Sequence, residues 1–148
     1  VRPERGREAR RAGARCGARR PTSTARWMAG HHGVQVTGVT VSIEQAKLAC
    51  DRCADLPIDI VVRDYRELDG QFDRIVSVGM FEHVGQRNYQ TFFSKIHALL
   101  KDQGLFLLHT IGAGRDGFAT DRWIEKYIFP NGLLPPASPC LLYTSPSP

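Results

Sequence analysis

A doubly wound α/β fold, a parallel sheet with helices on both faces, is what this sequence predicts from three observations. Short runs of Val, Ile, Leu and Phe recur between residues 34 and 109, helix-periodic segments lie between them, and the runs are apolar almost throughout instead of alternating. Strands of that kind are buried on both faces, as in parallel sheets. The first run, residues 34–41, is Val-rich with Thr37 and Gly38 inside it. Ser42 then stands where an N-cap belongs, ahead of a helix over residues 43–53. Residues 58–62 form a second strand and residues 72–78 a third; the link between them is too short for an ordinary crossover helix, so residues 65–70 are expected to form a reduced turn. Tyr89, Phe92, Phe93, Ile96, Leu99 and Leu100 fall at helical spacing and predict a helix over residues 88–100. Lys101, Asp102, Gln103 and Gly104 read as a turn before a last strand over residues 105–109.

At 148 residues the chain supports one domain with a real core. Its formal charge of +5 points to an anionic partner, but residues 1–20 hold eight Arg against Glu4 and Glu8, a balance of +6 that leaves −1 for the other 128 residues. Nucleic-acid binding is therefore not expected of the folded part. No run of 18 apolar residues is present and the Arg-rich start lacks the apolar core of a secretory signal, so the expectation is a soluble, cytoplasmic protein. Cys50 and Cys53 form a C-x-x-C without a second ligand pair, which reads as two small residues on a helix rather than a redox or zinc motif. Composition divides the chain into an Arg-rich segment over residues 1–25, expected to be disordered, a folded domain over residues 26–134, and a Pro-rich tail over residues 135–148, also expected to be disordered.

In a doubly wound sheet the binding crevice lies beyond the carboxyl ends of the strands, which directs attention to the residues just after each run. Thr40, Ser42 and Gln45 suit helix capping and ligand hydrogen bonding equally. Asp64 and Tyr65 suit an adenine, the ring by stacking and the carboxylate by accepting from the exocyclic amine. Glu82 follows Gly79, Met80 and Phe81 at a strand end, where a carboxylate is partly buried and has to be paired. His83 beside it and His109 on the next strand can supply donors around a small anion, or act as acid and base. No His, Asp or Glu spacing suits a metal.

Five separated motifs carry a further signal: Val36-Thr37-Gly38-Val39-Thr40-Val41-Ser42 with Glu44-Gln45; Asp64-Tyr65-Arg66; Phe72 through Gly85; Leu107-Leu108-His109-Thr110-Ile111-Gly112; and Trp123 through Gly132. Together they resemble the cyclopropane-fatty-acyl-phospholipid synthases, collinearly from about Arg26 to Leu134. The resemblance implies a Rossmann-like, S-adenosylmethionine-dependent methyltransferase fold. It further implies an enzyme that adds a methylene across the cis double bond of an unsaturated acyl chain in a membrane phospholipid, at the inner membrane surface, with a homodimer allowed for a full-length parent. In that chemistry the alkene attacks the sulfonium methyl, and the resulting carbocation loses a proton to close the ring. A weak base has to lie close by, and in the family it is a bound bicarbonate. By resemblance Glu82, His109 and Ile111 hold that bicarbonate, Glu82 through its carboxyl group and Ile111 through its backbone. Thr40, Ser42 and Gln45 match contacts to the ribose and methionine of the cofactor, Asp64 and Tyr65 match adenine contacts, and Val78 and Gly79 match the floor under the methionyl part. Phe81, Tyr127 and Phe129 match lipid-side or packing positions.

The departures from the family are equally specific. Its first strand ends in a Gly-rich loop, and residues 14–24 show none, so the first strand is expected to be missing, with the following helix beginning near Thr24. An abrupt switch to Arg, Ala and Gly is what a shifted reading frame in GC-rich DNA yields, and residues 140–148 resemble a translated sequencing adaptor. Both tails are accordingly expected to be non-native. The family's N-terminal lipid-handling domain and its C-terminal strands are not recognised either, so the chain is expected to bind S-adenosylmethionine poorly. Two alternatives stand beside this reading: another S-adenosylmethionine-dependent lipid C-methyltransferase without ring closure, and an inactive fragment with a basic, nucleic-acid-binding arm.

Overall fold

The computed structural model of the chain describes residues 11–16 and 21–112, together with Trp123, Lys126 and Pro135. Its elements in chain order are β1 (Arg11–Cys16), α1 (Pro21–His32), β2 (Gln35–Thr40), α2 (Ile43–Cys53), β3 (Ile58–Val62), β4 (Phe72–Val78), α3 (Tyr89–Leu99) and β5 (Leu100–His109). The five strands form one sheet in the order β3-β2-β1-β4-β5, parallel at every pairing. The chain winds outward from β1 to β3, then returns to the other side of β1 for β4 and β5. That reversal sets a topological switch point between β1 and β4, where such sheets bind ligands.

The central strand corrects the sequence reading. A first strand was expected to be missing and residues 1–25 to be disordered, yet Arg11–Cys16 pairs with β2 from Arg11↔Gln35 to Arg15↔Val39 and with β4 from Ala12↔Arg74 to Cys16↔Val78. The physical reason is that β2 and β4 each turn a row of unpaired backbone groups toward one slot, and any extended segment able to reach it completes two ladders at once. A six-residue strand needs no apolar periodicity to do so. The next helix also starts earlier than expected, at Pro21, a residue suited to the first helical position because it has no N–H to leave unpaired. Residues 1–10 and 17–20 lie outside the described residues, as does the tail beyond Pro135, which is itself buried.

α1 ends where Gly33, at φ +62°, gives its N–H to the Ala29 carbonyl at 3.0 Å, the left-handed cap that glycine adopts most readily. α2 runs over the predicted residues, with the Ser42 hydroxyl accepting from Gln45 N–H at 3.2 Å. Cys50 lies exposed and Cys53 buried on this helix, both as free thiols; burial raises the Cys53 pKa. Among the described residues no group of His, Cys, Asp and Glu is arranged to hold a metal.

The β3–β4 connection is one 3₁₀ turn, Tyr65–Glu67, within nine residues. Crossing three strand spacings and descending six residues requires roughly 25 Å, and nine residues reach roughly 30 Å when extended. The link is therefore long enough without a helix and too taut to hold one. The turn expected at residues 101–104 is instead an excursion within β5: Phe72 pairs with Leu100 and Arg74 with Leu105, so five steps along β5 answer two along β4. Gly104 permits the kink, since a Cβ there would meet the Lys101 carbonyl oxygen at 2.8 Å.

One face of the sheet is closed by α3. Tyr65, Ile75, Met80, Phe81, Val84, Tyr89, Phe92, Ile96 and Leu99 form a buried cluster there, with Phe106 and Leu108 packed against it. The other face carries Ala25 and Ala29 of α1 on Val36, with Val76 alongside. Ile75 and Val76, adjacent in β4, thus serve opposite faces, as the two-residue period of a strand dictates.

Candidate functional site

A cleft of ≈ 400 Å³ opens at the carboxyl ends of β2, β3 and β4, lined by Thr40, Ser42, Gln45, Asp64, Tyr65, Met80, His83 and Val84 among others. Its size is that of a small-molecule site, and Thr40, Ser42, Gln45, Asp64, Tyr65 and His83 are the six of its residues that the sequence marks by their place after a strand. The β2 group is a connected network. Thr40 Oγ1 donates to Gln45 Oε1 at 3.0 Å and accepts from Ser42 N–H at 3.1 Å, while Ser42 Oγ donates to Glu44 Oε2 at 3.0 Å. Gln45 occupies the third position of a capping box, yet its side chain turns to Thr40 and not back to the Ser42 backbone. The network thus caps α2 and presents hydroxyl and amide groups to the cleft in one arrangement.

The β3 group is held by charge. Asp64 Oδ1 accepts from Arg66 N–H at 2.9 Å and from Arg66 Nε at 3.0 Å, and its Oδ2 accepts from Nη2 at 2.8 Å. The Asp64 carboxylate raises the Arg66 pKa through that hydrogen bond and through charge. Tyr65 is buried between them and the core, its ring edge-on to Phe92 with centroids 5.5 Å apart. Arg66 carried no role in the sequence reading; the available signal was the Asp-x-Arg spacing, which places acid and base on one side of a tight turn.

Gly79 ends β4 at φ +61°, a left-handed conformation that favours glycine. Its N–H donates to the His109 carbonyl at 3.0 Å, so the ends of β4 and β5 are tied together beside the Val78↔His109 pair. A short turn, Phe81–His83, then carries Glu82 inward. Glu82 is 1% exposed. Its Oε1 accepts from Ile111 N–H at 2.7 Å, and its Oε2 has no hydrogen-bond partner among the described residues. Glu82 and Ile111, 29 residues apart, are thus brought into direct contact, whereas the His109 side chain is exposed at the strand end and the bond to the carboxylate comes from the Ile111 backbone. Phe81 is fully buried and stacks on Tyr89 at 4.4 Å, a packing residue. Tyr127 and Phe129 lie outside the described residues.

Known proteins resemble this chain in sequence and in fold. The sequence model of the family described as mycolic acid cyclopropane synthetase matches residues 21–143. The cyclopropane-fatty-acyl-phospholipid synthase of Escherichia coli (strain K12) is 56% identical over 111 residues, which are 75% of this chain and 29% of that protein. A probable fatty acid methyltransferase of Pseudomonas putida is 39% identical over 122 residues, 75% of this chain and 31% of that protein. Among solved structures, the mycolic acid cyclopropane synthase CmaA1 complexed with SAH and CTAB superposes with a TM-score of 0.77 at 28% identity, covering 90% of this chain and 53% of that one. The chain spans about a third or less of the length of these two curated relatives. The match includes the strand ends that build the cleft, and the chain belongs to the mycolic acid cyclopropane synthetase family.

Proposed function

We propose that this chain carries the cofactor cleft and the anion-holding carboxylate of an enzyme that transfers a methylene from S-adenosylmethionine to the cis double bond of an unsaturated phospholipid acyl chain, closing a cyclopropane ring. The observation that carries the reading is Glu82: a 1% exposed carboxylate with one oxygen held by Ile111 N–H and the other without a partner among the described residues. A buried acceptor of that kind calls for a donor, and bicarbonate is an anion that brings its own O–H. Bound there, bicarbonate supplies a weak base, and S-adenosylmethionine in the adjoining cleft supplies an electrophilic methyl group.

This chain's own residues then have distinct tasks. Thr40, Ser42 and Gln45 offer hydroxyl and amide groups to the ribose and the methionyl part, and Asp64 with Tyr65 takes the adenine. Val78 and Gly79 form the floor where β4 ends, and Gly79 lets the backbone turn there. Glu82 orients the anion, with Ile111 fixing the carboxylate and His109 available from the end of β5. The bound SAH of CmaA1 supports the cofactor part of the reading. A peripheral position at the inner membrane surface belongs to the same proposal, since the substrate is a membrane phospholipid; among the described residues no helix is long and apolar enough to cross a membrane.

Mass spectrometry of lipids from cells expressing a full-length parent tests the reaction. A gain of one CH₂ with loss of the alkene signal is expected, and is lost when Glu82→Gln is introduced. A methyl branch without a ring would favour the second reading, a lipid C-methyltransferase, which the Pseudomonas putida relative supports. Unchanged lipids would overturn both.

A further inference from the structure

The Asp64–Arg66 pair has a geometry that its contribution to folding does not explain. Asp64 side-chain exposure is 30% and that of Arg66 is 58%, and ion pairs this exposed add little to stability. Yet Arg66 makes three hydrogen bonds to the one carboxylate, two on Oδ1 and one on Oδ2, at 2.8 to 3.0 Å. A planar fork across both oxygens fixes the plane of the carboxylate as well as its position. The Arg66 guanidinium carbon also lies 6.0 Å from the centre of the Tyr65 ring. All three residues line the cleft.

We infer that Arg66 is a positioning residue: it locks the Asp64 carboxylate so that it accepts from the 6-amino group of the cofactor's adenine and rejects a purine with a 6-oxo group. This rests on the cofactor reading proposed above. A half-exposed aspartate without such a clamp changes rotamer readily and can withdraw from a ligand that offers an acceptor in place of a donor. A clamped one cannot withdraw, so a 6-oxo group meets a fixed negative oxygen and finds no donor there. Discrimination of this kind comes from the penalty on the wrong ligand as much as from the bond to the right one. Arg66 itself has its guanidinium committed to Asp64, which keeps it from rewarding the 6-oxo group.

The test compares the affinity of the whole chain for S-adenosylhomocysteine and for its deaminated analogue S-inosylhomocysteine, by calorimetry or, for weak binding, by ligand-observed NMR competition. The unsubstituted chain is expected to prefer the adenosyl compound by about tenfold, the low end for one hydrogen bond to a charged group. Arg66→Ala is expected to narrow the preference to under about threefold, chiefly by improving the inosyl compound. Arg66→Met, which keeps an aliphatic stem over Tyr65, should behave the same way. In an Asp64→Asn background Arg66→Ala should leave the ratio unmoved, because the group it positions is gone. Equal loss of affinity for both compounds on Arg66→Ala, with the tenfold ratio intact, would show a merely structural role and overturn the inference. No preference in the unsubstituted chain would overturn it as well. Failure of the unsubstituted chain to bind either compound would overturn the cofactor reading itself, a different outcome from an unchanged ratio.

Discussion

Glu82→Gln should make the protein more stable while removing its response to bicarbonate. In the folded chain the carboxylate is 1% exposed, with a hydrogen bond from Ile111 on one oxygen and none from the described residues on the other. Leaving a buried charge without its partner costs about 3–5 kcal/mol in proteins where partners have been removed. The glutamine side chain keeps the shape and the acceptor for Ile111, and exchanges the lone oxygen for an amide whose unpaired cost is about 1–3 kcal/mol. The difference favours glutamine by about 2 kcal/mol, which for a chain of this size corresponds to a rise in Tm of roughly 4–8 °C. Urea unfolding at pH 7 followed by circular dichroism measures it, with an unchanged slope expected because the surface exposed on unfolding is the same. Added bicarbonate should raise the midpoint of the unsubstituted chain by mass action and leave the Gln variant where it is. A loss of more than about 1 kcal/mol in the Gln variant would refute the reasoning, because it would mean the carboxylate is satisfied internally and serves the fold.

Three further outcomes follow from the packing and charge. Phe92→Ala, at a 1% exposed ring that meets Tyr65, Phe81, Phe93 and Phe106, should cost about 3–5 kcal/mol in urea unfolding; a loss below about 1.5 kcal/mol would mean the cluster closes over the gap. Gly38→Ala places a Cβ 2.7 Å from Ile60 Cδ1 on the neighbouring strand, for a cost of about 1–3 kcal/mol; Ile60→Val removes that methyl group and should restore most of the loss in the double variant. The hydrogen bond and charge of Arg26 hold the Asp55 carboxyl below its ordinary value of 3.8, and Asp55 in turn raises Arg26. A lowered carboxylate pKa stabilises the fold above the unfolded value and stops doing so as pH falls through the folded value. The stability difference between the unsubstituted chain and Asp55→Asn should therefore be constant from neutral pH down to about pH 5 and shrink as the pH falls further through the unfolded and then the folded value, and high salt should shrink it. A difference that grows on acidification would contradict the assignment.

What could be read from the sequence was what local chemistry determines. The α2 helix starts at a serine because its hydroxyl meets the first free N–H groups, and that is decided within three residues. Buried parallel strands announce themselves as apolar runs, and the residues after them mark the cleft because sheet topology places them there. β1 was invisible for the complementary reason. Its place is set by backbone groups on β2 and β4, more than twenty residues downstream, and Arg-Ala-Gly-Ala-Arg-Cys carries no sign of them. The β5 excursion is hidden for a similar reason: Lys101 to Gly104 has the composition of a turn, and only the pairing of Leu105 with Arg74 shows that the strand resumes on the same ladder. At the site itself, sequence put Glu82, His109 and Ile111 at two neighbouring strand ends but could not assign which group meets the carboxylate. That depends on Gly79, whose φ of +61° lets the chain after β4 fold back while its N–H ties to the His109 carbonyl. The backbone beyond His109 then delivers an amide to Glu82, and the imidazole is left at the rim. A main-chain N–H is a fixed donor, whereas an imidazole nitrogen donates or accepts according to its tautomer, so the hydrogen bond that orients this carboxyl group is constant. That constancy suits a group whose proposed task is to orient an anion, and it places the burden of choosing the anion on the Glu82 oxygen that has no partner among the described residues.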